Sequence, residues 1–181
     1  MDTLQRFCAY LDASPTPNHA VQTTVETLEA HGFSEVDLGA PPTDLPKGFR
    51  GYVAKGGSLV AFHIGSKSPT LAGYRIVSAH TDSPNLRLKP QPYVRSHGYV
   101  RLGVETYGGV INATWSDRDL GMAGLVALRD GDGLRQELVR IDSPVCRIPN
   151  LAIHLNREVN KEGLKLNAQS DLPAVFSLEE L

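Results

Sequence analysis

The stretch YRIVSAHTDSPN, residues 74–85, begins with an apolar run and then sets an imidazole and a carboxylate two positions apart, just before a proline. A continuous run such as YRIVSA predicts a strand covered on both faces, as in the parallel sheets of α/β proteins. Along a strand, residues i and i+2 project to the same side, so His80 and Asp82 are expected to converge at its C-terminal end. Open α/β sheets hold their sites there. A zinc-ligating imidazole commonly donates its other ring N–H to a carboxylate, which fixes tautomer and orientation, and His-x-Asp supplies both groups. The plainer reading is a histidine satisfied by a neighbouring carboxylate at a strand end, and the tripeptide by itself favours that one.

Working outward, SPTPNHAVQTTVETLEAHGF (14–33) predicts an amphipathic helix. Thr16 is its N-cap, Pro17 its first residue, Val21, Val25 and Leu28 its apolar face, and Gly32 its stop. After the proline-rich connector APPTDLP, the runs FRGYVAK and SLVAFHIG flank Gly56-Gly57, the pattern of a hairpin with a two-residue turn. Beyond Pro90 the texture changes to short β-type runs broken by Ser-His-Gly, Gly-Gly and Asp-Gly-Asp-Gly, with no helical period. GMAGLVALRDGDGLRQELVRI (121–141) is expected to be a hairpin turning at Asp130 to Gly133, and LAIHL (151–155) a short strand. The fold class is therefore α/β: residues 1–89 start an α/β domain, and residues 90–181 form a β-rich domain.

Composition sets the outer bounds. The 181 residues, 41% hydrophobic and 21% charged, suit a globular chain, and no internal repeat or low-complexity segment is present. A formal net charge of -2 without a lysine or arginine block gives no electrostatic footprint for nucleic acid or an anionic membrane. Cys8 and Cys146 belong to no Cys-x-x-Cys pair and suggest a reducing compartment. No stretch approaches the roughly 18 apolar residues of a membrane span, and the N-terminus has no apolar leader core, so the expected location is the cytoplasm.

Longer wording narrows the reading. SPTPNHA (14–20), AHTDSPNLRLKP (79–90), YGGVINATWSDRDLGMAG (107–124) and RIPNLAIHLNR (147–157), in that order, resemble the N-terminal half of the M18 zinc aminopeptidases, the aspartyl aminopeptidases. The resemblance implies a two-zinc metallopeptidase that removes N-terminal residues, often acidic ones, from peptides. It further implies self-association as a dimer and, in the full-length protein, as a dodecamer. On that pattern His80 matches a zinc ligand and Asp82 its orienting carboxylate. His154 matches a histidine of the inserted, β-rich dimerisation domain that reaches a neighbouring subunit's active site. Members run to more than twice this length, and their remaining ligands and general base lie in the C-terminal half. The pair Glu179-Glu180 lacks the family's surrounding motif and is given no role. The alternative is a non-catalytic β-rich oligomerisation or binding module derived from such an enzyme.

Other candidates have structural explanations. Asp117, Arg118 and Asp119 in WSDRDLG are expected to form ion pairs that order a loop. His19 and His31 flank a helix, where capping and the helix dipole account for them. His63 and His97 have no companions at ligand spacing, and Gly108-Gly109 reads as a bend or bulge. Without the resemblance, His154 would be an ordinary core or strand histidine bonded to backbone.

Overall fold

Asp2 opens the chain's first helix, α1 (Thr3–Ala13), through a capping box. Its carboxylate accepts from the Gln5 N–H at 2.8 Å, and the Gln5 side chain accepts from the Asp2 N–H at 3.0 Å. The computed structural model describes residues 2–42 and 44–179, so Glu180 lies outside the described residues. The chain divides into two compact units, residues 1–83 with 124–138, and residues 84–123 with 139–181.

In the first unit α2 (Pro17–Ala30) follows α1, with Thr16 capping it, Pro17 at its first position and His31-Gly32 ending it as expected. The hydroxyl of Tyr10 on α1 lies 3.0 Å from the Thr24 hydroxyl on α2, fixing the helix pair. A short β1 (Ser34–Glu35) pairs in parallel with β2 (Arg50–Lys55), which pairs antiparallel with β3 (Ser58–His63) in the order β1-β2-β3. The turn between β2 and β3 is Gly56-Gly57. Gly56 has φ +56°, a left-handed conformation that glycine adopts without penalty. A Cβ on Gly57 would come within 2.9 Å of Pro17 Cβ, so both glycines are dictated by geometry. Tyr52, 3% exposed, is buried, as are Ala20 and Val21 of α2, and it donates its hydroxyl to Glu29 at 2.6 Å, tying β2 to α2. That bond pushes the Tyr52 pKa up to about 12. Arg50 donates to the carbonyl of His31 at 2.8 Å, placing a cation at the C-terminal end of α2.

A short α3 (Pro69–Ala72) leads into the stretch predicted to be a covered strand, and here the structure differs. Residues 74–80 form no ladder among the described residues, and Tyr74, Ile76 and Val77 are 80%, 85% and 99% exposed. A run that needs neighbours on both faces finds none within the described residues.

The second sheet is five-stranded, in the order β4-β5-β8-β7-β6: β4 (Asn85–Ser96), β5 (Tyr99–Tyr107), β6 (Asp119–Asp130), β7 (Gly133–Arg147) and, after the short helix α4 (Val159–Glu162), β8 (Ala174–Leu178). β4 passes through residues 89 and 90 without interruption, and the division into units falls at Ser83/Pro84. The prolines at 90 and 92 lie inside β4 where its register with β5 shifts between Leu88 and Tyr93, because proline has no N–H to give the ladder. β4 and β5 join through His97-Gly98, with φ of +54° and +78°, which assigns His97 to a hairpin turn. The hairpin of β6 and β7 turns at Gly131-Asp132, as its Asp-Gly pattern predicted.

The core of this unit is Ile148 and Leu172, both 0% exposed, with Val104 and Ala174. Leu86, Trp115, Leu120 and Cys146 pack around them. Burying an Ile or Leu side chain contributes about 1.5–3 kcal/mol, so two complete burials anchor this sheet. Among the described residues no helix is long and apolar enough to cross a membrane.

Candidate functional site

His80 and Asp82 meet, by a route other than the one the alternation rule supplies. A bend at Thr81, in place of a strand end, turns the backbone so that His80 Nδ1 lies 2.6 Å from the Asp82 carbonyl oxygen and 3.2 Å from its carboxylate Oδ1. A carbonyl oxygen can only accept, so Nδ1 carries the ring proton and Nε2 of the neutral imidazole carries the lone pair. That is the tautomer a metal ligand needs. The His80 side chain is 79% exposed and that of Asp82 34% exposed, so the carboxylate is the more sheltered of the two.

The residue between them was not singled out from sequence, yet it holds the segment in place. The Thr81 hydroxyl donates to the Gly57 carbonyl at 2.6 Å. The glycine turn of the β2–β3 hairpin is thus the peg on which His-Thr-Asp hangs. A hydroxyl between a candidate ligand and its orienter was the one available clue.

As a test of fit for a metal, His80 qualifies as one ligand with its second nitrogen held. A catalytic zinc needs about three protein ligands and an open position, and among the described residues no three His, Cys, Asp or Glu side chains are grouped as a metal site. The residues present fit part of a centre.

His154 lies elsewhere in the chain, and in a different local structure from the one predicted. Residues 153–155 form a turn, closed by Leu155 N–H to Ala152 C=O at 2.9 Å and Asn156 N–H to Ile153 C=O at 3.3 Å. Leu151, Ile153 and Leu155 are exposed, as is His154. The apolar alternation that suggested a strand has no ladder to join, and it sets three apolar side chains and an imidazole on a protruding loop. A cleft of about 270 Å³ borders both feet of this loop at Asn150, Leu151 and Asn156, with Arg101, Lys165 and Asp171 on its other walls. A larger cleft, about 400 Å³, runs along Glu35, Asp37 and Lys55 and has neither His80 nor Asp82 in its walls.

The acidic motif is structural, as expected, but its cation is Arg147. The Arg147 guanidinium donates to Asp119 Oδ1 at 2.9 Å and to the Asp117 carbonyl at 3.0 Å, and it lies 3.7 Å from Asp117 Oδ1. His19 Nδ1 is 2.7 Å from the Thr16 hydroxyl, and His31 Nδ1 is 2.7 Å from the Thr27 carbonyl. Both histidines serve helix ends.

Over 97% of its length the chain superposes, with a TM-score of 0.91 and 40% identity, on 34% of a chain in the cryo-EM structure of the Ape4 and Nbr1 complex. It also superposes over 99% of its length, with a TM-score of 0.75 and 26% identity, on 49% of a chain in the mApe1 dodecamer of S. cerevisiae. The class is thus the mixed α/β fold of these solved structures. The family model described as aminopeptidase I zinc metalloprotease (M18) matches residues 10–181, and the chain belongs to that family. A probable M18 family aminopeptidase 2 of Pseudomonas fluorescens is 46% identical over 169 residues, which cover 93% of this chain and 39% of that protein. The chain therefore spans about two fifths of the length of the curated relative it matches.

Proposed function

We propose that this chain is the N-terminal part of a zinc-dependent aminopeptidase that removes N-terminal residues, acidic ones by preference, from peptides in the cytoplasm. The observation that carries the reading is the fixed tautomer of His80. Asp82 accepts from Nδ1–H, which leaves the Nε2 lone pair free to ligate, in a chain of the M18 family. A bound zinc pair would polarise the scissile carbonyl and make a water nucleophilic near neutral pH. This chain's own contributions are narrower. His80 would ligate, Asp82 would hold it, and Thr81 would hold both against the Gly57 carbonyl. The other ligands and the general base would come from sequence beyond these residues, since relatives are much longer.

The β-rich part, from about residue 90, serves in this reading as a dimerisation domain inserted into the catalytic one. His154, on its exposed loop, would donate to the developing oxyanion in a neighbouring copy's site. The dodecameric relative supports self-association. The test is substitution in the complete polypeptide. His80→Ala should lower the zinc content, and His154→Phe should cut turnover on the order of a hundredfold, as loss of one oxyanion donor does, with assembly intact. Unchanged zinc content in His80→Ala would remove the ligand assignment. Unchanged turnover in His154→Phe would return that residue to a surface loop without a chemical role.

A further inference from the structure

The loop that carries His154 is fastened at its first foot by the WSDRD segment, and every bond of the fastening lies within one compact unit. Asp117 has φ +55°, in the left-handed region that Asp tolerates better than most residues. In this conformation its N–H donates to the Ile148 carbonyl at 2.8 Å, while its Oδ1 accepts from the Asn150 N–H at 3.2 Å. Arg147 grips the same residue from the other side through the Asp117 carbonyl and also reaches Asp119. Ser116 bridges to Ile148, which is completely buried, and the Asn150 side chain accepts from the Leu151 N–H at 2.8 Å. One strained-side aspartate thus joins a buried core residue to the backbone four positions before His154.

We propose that Asp117, with Arg147, is a positioning residue for His154: it fixes the foot of the loop so that the imidazole is presented at a defined place on the subunit surface. Exposed ion pairs contribute little to stability, so stabilising the sheet is a poor account of this arrangement. What it does supply is two backbone bonds at the loop's base and a bidentate guanidinium between two carboxyl-bearing residues. The inference rests on the reading of His154 as a residue that acts on a neighbouring copy's substrate. Misplacement of such a group by about 1 Å lowers turnover on the order of tenfold to a hundredfold.

The test uses Asp117→Gly, which relieves the positive φ and removes the carboxylate, and Asp117→Asn, which keeps both the φ tolerance and an acceptor for Asn150. In the 181-residue chain, amide hydrogen exchange at Asn150, Leu151 and Asn156 should speed up on the order of tenfold in Asp117→Gly and stay near normal in Asp117→Asn, with β5 unaffected in both. In the complete polypeptide, Asp117→Gly should lower kcat with KM unchanged, and Asp117→Asn should restore most of it. Asp117→Gly should have no further effect when His154 is already Phe. Arg147→Lys, which cannot span both acids, should fall between the two. If His154→Phe lowers kcat but Asp117→Gly does not, or if the two losses multiply, the positioning role is wrong while the role of His154 stands. If His154→Phe itself changes nothing, the cross-subunit reading falls, and this inference falls with it.

Discussion

Two apolar stretches of this chain meet opposite fates. Ile148 and Leu172 disappear completely into the second sheet's core, whereas Ile76 and Val77, in an equally apolar run, stand 85% and 99% exposed with no ladder to join. The difference is topological. The second sheet finds all its neighbours between residues 85 and 178: two hairpins, with turns at His97-Gly98 and Gly131-Asp132, are written locally, and β8 joins them by pairing with β5 and β7. Residues 74–80 have the composition of a central strand, and exposed apolar runs of this kind mark surfaces that something covers. In the reading proposed here, the cover is the remainder of a longer polypeptide.

The largest effect should come from the complete core. Ile148→Ala or Leu172→Ala should destabilise the sheet by about 2–5 kcal/mol, as cavity-forming truncations do, seen as a lower denaturant midpoint. Val77→Ser in this chain should change stability by no more than about 0.5 kcal/mol. In the complete polypeptide the same substitution should remove about 1.5–3 kcal/mol, the contribution of a buried Val. An equally small effect in both contexts would show that nothing covers the run, and the comparison would lose its meaning.

Gly121→Ala comes next. A Cβ there would run into the Ile141 carbonyl oxygen of the paired strand, so β6 and β7 must part, at about 1–3 kcal/mol. Unaltered thermal unfolding would mean that the two strands do not pair this closely.

Smaller effects separate the units by pH. The Tyr52 hydroxyl is held protonated by its bond to Glu29, with its pKa pushed up to about 12. A raised folded pKa contributes stability that is full below the ordinary tyrosine range near 10 and is lost as pH rises toward 12. Tyr52→Phe should therefore be less stable than the parent at neutral pH, and the gap should close across that alkaline window. In the other unit, bonds from Lys89 and Gln169 hold the Glu105 carboxyl below its ordinary value. A depressed carboxyl pKa contributes stability present above the ordinary carboxylate range and lost as pH falls through the folded value. Lys89→Met should flatten the acid end of the sheet's stability profile and leave the alkaline end untouched.

Local signals made much of this fold legible. Thr16-Pro17 and Gly32 bounded α2 correctly, Gly56-Gly57 and Asp-Gly-Asp-Gly marked their hairpins, and the Gly108-Gly109 bend and the structural role of the WSDRD acids were also readable. Two failures share one cause. YRIVSA and LAIHL have strand composition, but a strand needs a ladder, and pairing is a long-range property that composition does not carry. α1 was missed although Asp2 and Gln5 spell a capping box and Leu4, Phe7 and Leu11 recur at helical spacing, a signal that was available. The meeting of His80 and Asp82 was legible because their spacing is short. Thr81 and Arg147 were not, because their partners, Gly57 and Asp117 with Asp119, lie 24 to 30 positions away.

The most direct test of the account is an assay of the purified 181-residue chain with added zinc and a chromogenic amide of N-terminal Asp or Glu. One oriented imidazole cannot hold a catalytic metal centre, so the prediction is no chelator-sensitive turnover from this chain. Covalently completed with the C-terminal remainder of its polypeptide, it should turn over in a zinc-dependent, His80-dependent way. Robust chelator-sensitive turnover by the 181 residues alone would contradict the account, because the complete site would then lie within them.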